Sequence, residues 1–139
     1  MQPGPRTELA NRTALSLERA SFYLDAVCNE AQTGLRLLKL AGISSADRIL
    51  EVGAGGGLLT GFLQSRGFNV VAIEPTGDGF EATPRLAEVI REATGVTANI
   101  LSLAARDLKP GEHGPFDLIF SVNVIEHFQP LGENLDAMA

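Results

Sequence analysis

A chain of 139 residues, 45% of them hydrophobic, is long enough for one domain with a buried core and short for two. Its formal net charge of −6 argues against phosphate-driven nucleic-acid binding, which draws on a Lys and Arg surplus to release counterions, and points to a small ligand or a protein partner. The start, MQPGPRTELANRTALS, has no apolar stretch of the secretion-signal kind, and no apolar run approaches the ~18 residues of a membrane span, so a cytoplasmic protein with no membrane partner is expected.

Pro3, Gly4 and Pro5 among polar neighbours give residues 1–16 the composition of a flexible arm. Asn11-Arg12-Thr13 matches a glycosylation sequon but is read as idle without a secretion signal. From residue 17 onward Leu24, Val27, Cys28, Ala31, Leu35 and Leu38 fall at helical spacing and predict one long amphipathic helix closed by Gly42. Cys28 is the only cysteine, so no disulfide forms within the chain, and it is expected as a small buried apolar residue. Arg48 to Gly53 then reads as a first strand. A glycine cluster follows, and Leu58, Leu59, Phe62 and Leu63 mark one face of a helix stopped at Gly67.

Asn69 to Pro75 is a second strand. Beyond a polar loop, Thr83-Pro84 places an N-cap and a first-turn proline before Leu86, Val89, Ile90 and Ala93, with Gly95 closing that helix. Thr97 to Leu103 and Phe116 to Val122 are the third and fourth strands, joined by a Pro- and Gly-bearing segment read as more loop than helix. Strands that alternate with helices and carry continuous apolar cores such as VVAI and LIF indicate a doubly wound, mostly parallel α/β sheet covered on both faces. Ligands of such sheets gather beyond the C-terminal strand ends, where Glu51, Glu74 and the segment from Asn123 to His127 all fall.

The stretch ILEVGAGGGLLTGFL, Ile49 to Leu63, decides what the glycines serve. A phosphate loop needs Lys followed by Ser or Thr at its end, and Gly57 is followed by Leu58, Leu59 and Thr60. The dinucleotide fingerprint on Gly53 and Gly55 demands a third glycine where Leu58 stands. What remains is Glu51-x-Gly53-x-Gly55-x-Gly57, an acid ending a strand and glycines at every second position, with Glu74 ending the second strand and FDLIFSVNVIEHF at the fourth. This pattern resembles the class I S-adenosylmethionine-dependent methyltransferases from about Phe22 to the last residue.

The resemblance implies a Rossmann-like fold, S-adenosylmethionine as cofactor and a small-molecule methyl acceptor. It implies cofactor contacts from Glu51, Gly53, Ala54, Gly55 and Gly57 at the glycine turn and from Glu74 and Pro75 at the second strand. Asn123, after the fourth strand, is counted among these cofactor contacts. Many relatives carry an Asp for the adenine amino group where this chain has Ala104, with Asp107 three residues late, so adenine recognition is assigned to the backbone around Ala104 and Ala105. A carboxylate at the turn suits a sulfonium and an ammonium as a Lys suits phosphate. His127 is the expected base for a hydroxyl acceptor, which favours transfer to oxygen. The bland alternative is a turn histidine that caps or packs; His113 is assigned no role, and no metal site is expected from His113, Glu126 and His127.

The long helix is expected to cover the cofactor in part, with Tyr23 facing the site. Because the family has seven strands and this chain stops at Ala139, inside the helix after the fourth, the sheet is expected to be truncated. That exposes the fourth strand's edge to self-association or to a partner chain. A non-catalytic cofactor-binding fragment or subunit is the alternative to an active enzyme.

Overall fold

The computed structural model describes residues 3–76 and 82–139. Its helices are α1 (Pro5–Thr13), α2 (Leu17–Ala41), α3 (Leu58–Ser65), α4 (Thr83–Thr94), the single turn α5 (Pro110–His113) and α6 (Leu131–Met138). Its strands are β1 (Arg48–Val52), β2 (Asn69–Glu74), β3 (Ile100–Ser102) and β4 (Leu118–Ser121), and 3-10 turns cover Ala105–Asp107 and Ile125–His127. The sheet runs in the order β3-β2-β1-β4 with every pair parallel, so the chain winds outward from β1 in one direction through β3 and returns to β1's other side for β4. That reversal leaves a crevice outside the C-terminal ends of the central strands. The expected doubly wound α/β architecture is the one observed.

Strand β1 holds the core together because its alternating side chains enter two different clusters. Ile49 packs with Leu38, Leu59, Leu63 and Val70 on one face, and Leu50 and Val52 pack with Ile73 and Ala105 on the other. Leu50 stands opposite Val71 of β2 and Ile119 of β4, so the middle of the sheet is apolar from strand to strand. Helix α2 starts where the Ser16 hydroxyl accepts the Arg19 N–H at 3.2 Å, and it ends at Gly42 with φ of 71°. Within it Gly34 is buried, and a Cβ there would lie 2.3 Å from Leu59 Cδ2 and 3.7 Å from Val122 Cγ2. The missing side chain lets α2 rest directly on α3 and on the end of β4.

Several expectations need correction. Residues 5–13 of the expected arm form α1, because Pro5 occupies a first-turn position that needs no N–H and Leu9 is buried against Ala20 and Val89. Arg12 adds ion pairs to Glu8, Glu88 and Glu92. Cys28 is exposed, on the edge of α2's apolar stripe. Helix α4 begins one residue early, with Ala82 at the cap and Thr83 inside the first turn. The polar loop before it lies largely outside the described residues. Strand β3 is three residues long instead of seven, as befits an edge strand paired on one side only. The segment between β3 and β4 contains a 3-10 turn and α5 instead of plain loop.

Candidate functional site

After Val52 the chain turns at Gly53, whose φ of 77° suits glycine and whose Cβ, if present, would stand 2.4 Å from Val124 Cγ2. The N–H groups of Gly53 and Ala54 both donate to the Ile73 carbonyl, at 2.9 and 3.1 Å, and Gly57 N–H donates to Ala54 O at 2.8 Å. Gly55 N–H donates to Glu74 Oε2 at 2.9 Å. The turn is thus fastened to the end of β2 through the N–H groups of Gly53, Ala54 and Gly55. An anion-binding loop keeps such N–H groups open, whereas this turn offers bare space beside carboxylates.

Gly55 supplies that space. A Cβ on it would meet nothing within 4 Å, and it lines a cavity of about 320 Å³ beyond the ends of β1, β2 and β4. Of the residues singled out in the sequence, Gly53, Glu74, Pro75, Ala104, Ala105, Asn123 and His127 line the same cavity. Glu51 and Ala54 line a narrower cleft on the other side of the turn, which shares Gly53 and Gly55 with the first. Gly57 lines neither: its missing side chain makes room for Ala98 and Ile100, each 2.7 Å from where a Cβ would be.

The electrostatics follow from burial. Glu51 and Glu74 are each only 7% exposed. Desolvation pushes the Glu51 carboxyl up to about 7, against the pull of a hydrogen bond from the Thr60 hydroxyl, and the charges of Glu74 and Glu30 add to the rise. Glu74 is raised for the same first reason, opposed by the Gly55 N–H and by His127. Two buried acids at neighbouring strand ends make a place where a cation is stabilised and an anion is not.

The cavity's remaining walls come from less buried elements. Ala104 and Ala105 reach it from the 3-10 turn after β3, which Asn134 of α6 holds by accepting the Arg106 N–H at 3.0 Å while donating to Pro130 O at 2.7 Å. Asp107 is exposed and is not among the lining residues. Asn123 follows β4 with φ of 54°, unusual for a side chain bearing a Cβ, and donates from Nδ2 to Glu30 Oε1 at 3.2 Å. His127 enters from the second 3-10 turn, on the side facing Glu74.

Helix α2 contributes Glu30, and not Tyr23, which is 43% exposed and packs edge-to-face on Phe22. Glu30, Thr60 and Asn134 escaped sequence reasoning. The signal for Glu30 was Gly34 one turn later, a glycine inside a helix that marks close approach to another element. His113 accepts the Lys109 N–H through Nδ1 at 2.9 Å and so closes the α5 turn. Among the described residues no three His, Cys, Asp or Glu side chains are grouped so as to hold a metal ion. Nor is any described helix long and apolar enough to cross a membrane.

A family profile described as a methyltransferase domain matches residues 23–139. The chain belongs to that methyltransferase family. It is the class I S-adenosylmethionine-dependent type that the motifs resemble, and the parallel sheet has the corresponding fold. The domain is 27% identical over 136 residues, 97% of the chain and 50% of the relative, to a ubiquinone biosynthesis O-methyltransferase of Rhodopseudomonas palustris. It is 38% identical over 88 residues, 63% of the chain and 29% of the relative, to an uncharacterized protein of Mycobacterium tuberculosis. The chain spans half or less of the length of these two relatives.

Among solved structures, a TehB-like S-adenosylmethionine-dependent methyltransferase from Corynebacterium glutamicum aligns with a TM-score of 0.58 at 21% identity, over 88% of this chain and 66% of that one. A magnesium protoporphyrin IX methyltransferase from Synechocystis, crystallised with its bound S-adenosylmethionine, aligns at 0.57 and 16% identity, over 78% of this chain and 50% of that one.

Proposed function

We propose that this chain binds S-adenosylmethionine in the 320 Å³ cavity and that the protein transfers the methyl group to a small-molecule acceptor, at oxygen. The observation that carries this reading is the convergence of Gly55, Glu74, Asn123 and His127 on one space outside three parallel strand ends. The bound cofactor would supply a methyl group on a cationic sulfur. Glu74 keeps one carboxylate oxygen on the Gly55 N–H and offers the other to a ribose hydroxyl. Glu51 faces the positively charged end across the turn, and the backbone at Ala104 and Ala105 receives the adenine. His127 takes the proton of an acceptor hydroxyl on an imidazole nitrogen. Oxygen is supported by the names of the ubiquinone biosynthesis relatives.

The test is transfer of labelled methyl to phenolic and to amine acceptors by the wild type and by His127→Ala. The reading expects a methylated phenol and a loss of about 10²- to 10⁴-fold in the variant. Methylation of amines alone would contradict it.

A second reading rests on β4, which is outermost in the sheet, is half-buried along its length, and contains neither Lys nor Pro. Helix α6 packs chiefly on the 3-10 turn at Ala105. Such an edge suits pairing with a second copy or with a partner's strand, in which case the chain acts as a cofactor-binding subunit. Light scattering that shows a monodisperse monomer across micromolar concentrations would remove it. With one cysteine and no disulfide within the chain, we place the protein in the cytoplasm.

A further inference from the structure

We propose that Glu30 lets the site distinguish the methyl donor from its demethylated product, by placing a carboxylate where a sulfonium, and not a neutral thioether, is held. The inference rests on the cofactor reading above and assigns a role to a residue outside the glycine and strand-end motifs.

Three observations carry it. Among the described residues Glu30 is the one acid that lines both the main cavity, with Glu74 and His127, and the cleft behind the glycine turn, with Glu51. It therefore stands at the junction between the end that would hold the ribose and the end that would hold the ammonium, which is where the sulfur of the donor must lie. Its position is built in: Gly34 seats α2 on Leu59 and Val122, and Glu30, one turn earlier, is brought over the end of β4. Finally, its Oε1 accepts the Asn123 amide at 3.2 Å, from a residue held at positive φ, so the carboxylate is anchored at the end of β4.

S-adenosylmethionine and S-adenosylhomocysteine share adenine, ribose, ammonium and carboxylate, and they differ by one methyl and one positive charge on sulfur. A charge that faces the sulfur must weigh on the first ligand alone, whereas one that faces the ammonium weighs on both equally. Calorimetric titration of both ligands into wild type, Glu30→Gln and Glu30→Asp separates these cases. Glu30→Gln keeps an oxygen for Asn123 while removing the charge. It is expected to weaken S-adenosylmethionine by about tenfold and S-adenosylhomocysteine by less than about twofold, the size of a single partly screened charge pair.

Glu30→Asp, which keeps the charge, should restore most of the discrimination. Thermal unfolding without ligand checks that each variant is folded. Equal weakening of both ligands, or no change in either, overturns the inference. A folded wild type that binds neither ligand overturns the cofactor reading itself, a result recognisably different from an unchanged ratio.

Discussion

The two sides of the cavity are built from different material. On one side the ends of β1 and β2 are buried on both faces, are paired in register, and are tied to the glycine turn by hydrogen bonds to Ile73 and Glu74. On the other side β4 is half-buried along its whole length, and Asn123 and His127, which follow it, are exposed. The first side is a rigid seat whose shape is set by the core. The second takes its shape from turns and from α2 lying across it, so under the proposed function it is the side where an acceptor can vary without disturbing the seat. A family that keeps one cofactor and changes its acceptor needs this division.

The largest expected effect lies in the core. Leu50→Ala on β1 should cost about 3 to 5 kcal/mol in chemical denaturation, and Ile119→Ala, its neighbour on β4, about 1 to 2 kcal/mol because solvent already reaches part of that side chain. Equal costs would erase the contrast.

The next concerns pH. Glu51 in the folded chain titrates near 7, above its ordinary 4.5, so between those values the folded state holds a proton that the unfolded state has released. The stability this group contributes is full below about pH 4.5 and is lost as pH rises through 7, for a total of about 3 kcal/mol. Glu51→Gln should remove that slope from the ligand-free protein. A wild type and variant whose stabilities run parallel from pH 4.5 to 7.5 would mean that Glu51 is better solvated than its burial implies.

The smallest concerns binding. Glu74→Ala should weaken S-adenosylhomocysteine by about 1 to 3 kcal/mol, the range for hydrogen bonds to a charged group, while Glu126→Ala, outside the cavity, should leave it within about 0.5 kcal/mol. Similar losses from both would place the ligand elsewhere.

The rigid side is also the side that can be read from the sequence. Runs such as VVAI and the spacing of Glu51, Gly53 and Gly55 report a buried parallel strand and a turn that must stay bare, and both are local properties. Gly57 shows the limit of that reading: it belongs to the same repeat, yet its bareness answers to Ala98 and Ile100, which are distant in the chain. The softer side depends on such distant contacts throughout. Glu30 resembles any polar residue on the outer face of an amphipathic helix until Gly34 is seen to draw that helix onto β4. Pro3, Gly4 and Pro5 suggested an arm, because nothing near them shows that Leu9 finds Val89 and Arg12 finds Glu92.

The central claim is that two buried acids at the ends of β1 and β2 seat a cationic ligand. Calorimetric titration of the chain with S-adenosylmethionine at pH 6.5, in two buffers of different ionisation enthalpy, tests it most directly. At that pH Glu51 is largely protonated, and a bound cation favours its ionised form, so the account predicts one site per chain with protons released on binding. Binding without proton release, or no binding by a chain that unfolds cooperatively, would contradict it.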